Sequence, residues 1–126
     1  MTLIVLPALD AELEPVYDVW SAAFKGQPAV SVLFPEGADR KAQIEHIRQS
    51  WGDVGYPIKC VDTETGDIVG MAVWEIFWRS GEGSGWENPG RIPWLTSEDW
   101  DKAKEVVLPM FDVRERLLGK QKHVCK

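Results

Sequence analysis

The stretch from Pro57 to Trp78 constrains the fold more than any other part of the chain. Ile58-Lys59-Cys60-Val61 is short and β-prone, Asp62-Thr63-Glu64-Thr65-Gly66-Asp67 is turn chemistry, and Ile68 to Trp78 is a long run of β-branched and aromatic residues. This pattern specifies an antiparallel β-hairpin. Any fold proposed for the chain has to be built around it.

The flanking segments add a strand and helices. Thr2 to Leu6 is β-branched and apolar and stops at Pro7, which predicts a first strand. Leu13, Val16, Tyr17, Trp20 and Phe24 recur at steps of three and four, the mark of an amphipathic helix. Pro15 belongs in its first turn, and the helix should end near Lys25-Gly26. The connection GQPAVSVLFPEG reads as a structured loop around Val30, Val32, Leu33 and Phe34. A second helix follows, with Ile44, Ile47 and Trp51 on one face and Arg40, Lys41, Glu45 and Arg48 toward water.

Past the hairpin, SGEGSGWENPG reads as a plain loop. A phosphate cradle needs glycines that lead directly into a helix, whereas here Glu82 and Glu87 would repel an anion and no lysine follows. Thr96-Ser-Glu-Asp99 matches a capping box, and Trp100, Ala103, Val107, Met110, Val113 and Leu117 then keep helical spacing as far as Gly119. Pro109 should kink or split that helix. His123, Val124 and Cys125 resemble the start of another strand. The expected fold class is α+β, a mainly antiparallel three- to four-stranded sheet with two N-terminal helices and a kinked C-terminal helix, in a single domain spanning 1–126.

Composition excludes several function classes. No apolar run approaches the ~20 residues that cross a bilayer, and TLIVLPAL lacks the basic flank of a signal peptide, so no membrane role and a cytoplasmic location are expected. Five basic side chains stand against one carboxylate in residues 114–126, which leaves the rest of the chain at −10 within a net charge of −6. An acidic body argues against nucleic acid as a partner. The basic end complements a helix dipole, or attracts an anion. Cys60 and Cys125 have no ligand partners at metal-site spacing, so no metal is expected and the thiols should be free, with a disulfide or a catalytic thiolate as the alternatives. His46 and His123 form no triad pattern.

The order strand, helix, loop, helix, hairpin resembles the first half of a GNAT-type N-acyltransferase, a superfamily that moves an acyl group from coenzyme A to an amine. The residues that carry the resemblance are Val61-Asp-Thr-Glu-Thr-Gly-Asp-Ile-Val-Gly-Met-Ala-Val-Trp-Glu75, similar to a hairpin common in fungal members, with Trp20, Phe24 and Leu33-Phe34-Pro35 in support. In those relatives the segment resembling GKQKHVC leads into a fourth strand. The family's Q/R-x-x-G-x-G/A loop, whose amides hold the coenzyme A pyrophosphate, has no counterpart in the sequence. The resemblance thus implies a truncated GNAT-like fold that keeps the acceptor side, with no cofactor of its own and acetyl-CoA only if the missing half is supplied.

By the same resemblance, the acceptor pocket maps onto Phe24, Phe34, Trp74, Glu75 and Trp78. Alternation along the strand puts Trp74, Ile76 and Trp78 on one face and Val73, Glu75 and Phe77 on the other. Glu75 is the candidate catalytic base, activated if aromatics desolvate it; the alternative is a hydrogen-bonded or solvated carboxylate at the sheet edge. Trp86 and Trp94, loop tryptophans with no helical face to fill, are candidates for closing over a hydrophobic small molecule or a partner protein. Three functions stay open: a small-molecule or partner-binding protein without coenzyme A, a fragment or splice form of an N-acetyltransferase, and a cofactor-independent isomerase or cyclase. A long apolar third strand with an open edge also predicts a homodimer.

Overall fold

A computed structural model describes residues 1–50, 55–77, 92–118 and 123–125. It is α+β. The elements run β1 (Leu3–Pro7), a 3₁₀ turn (Asp10–Glu12), α1 (Leu13–Ala23), α2 (Pro28–Leu33), α3 (Arg40–Ser50), β2 (Gly55–Asp62), β3 (Ile68–Phe77), α4 (Ser97–Leu118) and β4 (His123–Cys125). They fall into two compact units, one of Met1–Lys25, Gln43–Ile76 and Val124–Lys126, the other of Gly26–Ala42 and Phe77–His123.

The first unit carries the sheet, ordered β1-β2-β3-β4. β1 and β2 are antiparallel with Leu3 opposite Asp62 and Pro7 opposite Ile58, and β2 and β3 are antiparallel with Tyr56 opposite Trp74. The hairpin turn closes as its residues dictate. Asp62 N–H donates to the Asp67 carbonyl at 2.9 Å, Gly66 N–H donates to the Asp62 carbonyl at 2.7 Å, and Gly66 takes φ +81°, a conformation that favours glycine. Just inside the turn the register slips at Cys60/Val61, where Gly70 faces Cys60 and Ile68 faces Val61. A β-carbon at Gly70 would lie 3.3 Å from Cys60 Cβ, so glycine also makes room for the thiol-bearing strand.

Two expectations about the sheet need correction. β2 begins at Gly55 rather than Ile58, because Pro57 is tolerated where its missing N–H faces only the end of β1. The edge expected to be open along the third strand has a neighbour in the strand order for part of its length, the three-residue β4 anticipated at His123–Cys125, and β1 is the outer strand on the other side.

The helical core of this unit follows from the α1 periodicity. Leu13, Tyr17 and Ile44 form a buried cluster with Trp20 and Ile47 packed against it, and Val16 is fully buried. The ring centroids of Tyr17 and Trp20 lie 5.8 Å apart and those of Trp20 and Phe24 5.4 Å apart. α1 ends at Ala23 with Phe24 as its cap, and Gly26 at φ +82° turns the chain out of the helix. On α3 the polar side works as expected: Arg48 bonds Asp10 at 2.9 Å and Glu45 at 2.8 Å, all three exposed. Trp51 lies outside the described residues.

The second unit is organised on α4. The segment expected to be a structured loop contains α2, started by Pro28 at its first turn, so three helices precede the hairpin rather than two. α2 packs against α4, and Ile92, Leu95 and Ala103 form a core with Val32, Leu33, Trp94 and Trp100 around it. The Thr96 cap forms, with Asp99 N–H donating to the Thr96 hydroxyl at 3.1 Å; the hydroxyl in turn donates to the Asp99 carboxylate at 2.7 Å, so that carboxylate holds the cap rather than a backbone amide. α4 runs 22 residues through Pro109 without being split. Of its expected apolar face, Ala103 and Val107 are buried, whereas Met110, Val113 and Leu117 are exposed.

Candidate functional site

The sheet has two chemically different faces, set by strand alternation and register. On one, β3 places Met71, Val73 and Glu75, and β2 places Pro57 and Lys59. On the other, β3 places Ala72, Trp74 and Ile76, β2 places Tyr56, Ile58 and Cys60, and β1 places Leu3 and Val5. Trp74 and Tyr56 sit directly opposite each other as an aromatic cross-strand pair, and both are exposed, as are Leu3 and Val5. Apart from Asp62 at the turn end, whose carboxylate accepts the Glu64 N–H at 3.0 Å, these described positions carry no charged side chain.

Glu75 and Trp74 therefore belong to opposite faces. Glu75 is half-buried opposite Gly55, in a row with Val73 and Met71 rather than among the aromatics Trp74 and Tyr56. Phe24, in the same unit, is exposed at the C-terminal end of α1 beside Trp20. Phe34 and Trp94 come together in the other unit: their rings stack at 5.3 Å, and the Trp94 indole N–H donates to the Leu33 carbonyl at 2.7 Å. That pairing gives Trp94 a packing role the sequence did not reveal. Trp78 and Trp86 lie outside the described residues.

Two buried polar contacts were not anticipated. Lys59 is buried in β2 with its ammonium on the Glu12 carboxylate, and the second oxygen of Glu12 accepts the Leu9 N–H at 3.0 Å. The Lys59 hydrogen bond, followed by the one from Leu9, holds the Glu12 carboxyl below the ordinary glutamate range. The Tyr17 hydroxyl donates to the Gln43 side-chain carbonyl, joining α1 to α3 inside the core. A lysine alone in an apolar strand segment was the available signal for the first contact; nothing local marks the second. Both contacts satisfy groups that would otherwise be buried without partners, so they hold the fold rather than offering reactive groups.

Among the described residues no group of three or more His, Cys, Asp or Glu side chains could hold a metal ion, and Cys60 is a free thiol. No helix among them is long and apolar enough to cross a membrane. An open depression on α4, lined by Asp101, Lys104, Glu105, Leu108 and Pro109, contains none of the candidate residues. What the arrangement offers chemically is an exposed apolar and aromatic sheet face. No family model, curated protein or solved structure matches the chain.

Proposed function

We propose that the chain is a GNAT-like domain spanning residues 1–126, corresponding to the acceptor-side half of the N-acyltransferase fold, and that it binds a hydrophobic small molecule or partner segment without coenzyme A. The observation that carries this reading is the exposed Tyr56–Trp74 pair on an apolar sheet face. Flat aromatic side chains on a strand present large contact area at low entropic cost, which suits recognition of an apolar ligand. Phe24, Phe34 and Trp78 are assigned to binding by the family resemblance, and Trp86 and Trp94 as loop tryptophans with no helical face to fill. The element order and the antiparallel hairpin support the kinship. The setting proposed is the cytoplasm, with the chain acting as a homodimer.

The test is quenching of tryptophan fluorescence by a hydrophobic naphthalene-sulfonate probe. The expected result is saturable binding that weakens about tenfold in Trp74→Ala, whose fold is checked by circular dichroism. Binding unchanged by that substitution would remove the sheet face as the site.

One observation favours a second reading, the N-acetyltransferase fragment. β4 lies beside β3 in the order expected of the strand that precedes the cofactor loop in the family. On that reading a chain extended by the cofactor half transfers acetyl from acetyl-CoA to an amine, with Glu75 taking the ammonium proton. Glu75→Gln would then lower kcat by roughly 10²–10⁴-fold. An unchanged kcat would exclude Glu75 as the base.

A further inference from the structure

The edge strand β1 is built as one half of a symmetric strand pair. Its ladder with β2 keeps one register throughout: Thr63 N–H donates to the Thr2 carbonyl at 2.9 Å at one end, and Ala8 N–H donates to the Pro57 carbonyl at 3.0 Å at the other. Both groups of a strand residue point the same way, and direction alternates. Ile4 and Leu6 therefore turn their amides and carbonyls toward β2, and Leu3 and Val5 turn theirs outward.

Nothing guards that outward row among the described residues. All five β1 residues are exposed, with Leu3 at 50 %, Ile4 at 43 %, Val5 at 62 % and Leu6 at 39 %. Natural edges are commonly protected by charges, a bulge or an inserted proline. Residues 1–9 hold no charged side chain, β1 pairs without a register shift, and Pro7 stands only at the strand's end.

We propose that β1 pairs antiparallel with β1 of a second copy, about a two-fold axis at Ile4. This rests on the homodimer proposed above and names its interface. Pro7 selects the register. Pairing Leu3 with Val5 of the second copy, and the reverse, engages the outward amides and carbonyls of Leu3 and Val5 of each chain in four hydrogen bonds. A shift that centres the axis on Val5 also makes four hydrogen bonds, two between the Val5 residues and two from the Leu3 amides to the Pro7 carbonyls, but it sets each Leu3 carbonyl against a position with no N–H inside the paired stretch. Charge points the same way: two chains of net charge −6 repel, and their uncharged segment is where they approach at least cost. The exposed apolar face bearing Leu3, Val5, Tyr56 and Trp74 then continues across the axis into its copy. A five-residue strand pair buries little area, so the association is weak, with Kd on the order of 10 µM, and it tightens as salt screens the net charge.

Sedimentation velocity of the full chain across that concentration range tests the interface, together with two substitutions. Val5→Pro removes an outward amide without touching the β2 ladder and should give a folded monomer. Ile4→Cys, with Cys60 and Cys125 changed to serine, puts two thiols on the axis at a Cα separation of about 4.5 Å, within disulfide range, and should cross-link quantitatively on mild oxidation. A monomer at all concentrations overturns both this interface and the homodimer. A dimer that persists in Val5→Pro and leaves Ile4→Cys uncross-linked overturns the β1 interface while keeping the homodimer.

Discussion

Helices α1 and α4 carry apolar stripes of the same helical spacing and end in different environments. In α1, Leu13, Val16 and Tyr17 are all buried, Ile44 of α3 completes the cluster of Leu13 and Tyr17 with Trp20 packed against it, and of the stripe only Phe24, at the helix cap, is exposed. In α4, Ala103 is buried with Ile92 and Leu95 and Val107 is buried too, but Met110, Val113 and Leu117, one to three turns further on, are exposed. Periodicity marks the face a helix can bury. Whether that face is covered depends on residues far away in sequence, which the stripe itself does not encode.

Substitutions should reproduce the contrast. Ile44→Ala, in the core that covers α1, should cost about 3 kcal/mol in urea unfolding, the usual size for a buried large-to-small change; a loss under 1 kcal/mol would mean that the α1–α3 core is not as close-packed as described. Tyr17→Phe strips the hydroxyl from Gln43 and should cost about 1–2 kcal/mol, since the amide is left buried without that partner. Thr96→Ala removes the cap of α4 and should cost about 1 kcal/mol, with a matching loss of helical ellipticity. Met110→Ser and Val113→Ser fall on the uncovered part of α4 and should each change stability by less than about 0.5 kcal/mol. A large loss from either would show that this half of α4 is covered in solution.

The Glu12–Lys59 contact adds a pH dependence to the α1 side of the comparison. The folded-state pKa of Glu12 lies below its unfolded value, so the contribution is present above the ordinary glutamate range and is lost as pH falls through the folded value. Unfolding measured from pH 7 down to pH 3 should show the acid limb of stability become shallower in Glu12→Gln. An identical limb in both proteins would remove the pair from the account.

Local features were legible in the sequence and long-range ones were not. The hairpin was readable because β-branched residues, an Asx-type turn and Gly66 all lie within one short segment. The α1 face and the Thr96 cap were readable for the same reason. The short helix at Pro28–Leu33 was missed because its flanking prolines read as loop punctuation, while its stability comes from packing on α4. Trp94 looked like a loop aromatic available to a ligand, and its partners Leu33 and Phe34 lie about sixty residues away. Lys59 and Glu12 are likewise separated by 47 residues, so nothing near either one announced the pair. Of the candidate site, strand alternation correctly placed Trp74 and Glu75 on opposite faces; the cross-strand register then supplied Tyr56 as the partner of Trp74.

The central claim is that this chain binds through an apolar, aromatic sheet face and not through coenzyme A. Calorimetric titration of the intact 126-residue chain with coenzyme A tests it most directly. The account predicts no binding heat up to millimolar cofactor, in protein that still binds the hydrophobic probe; saturable binding at micromolar coenzyme A would contradict it.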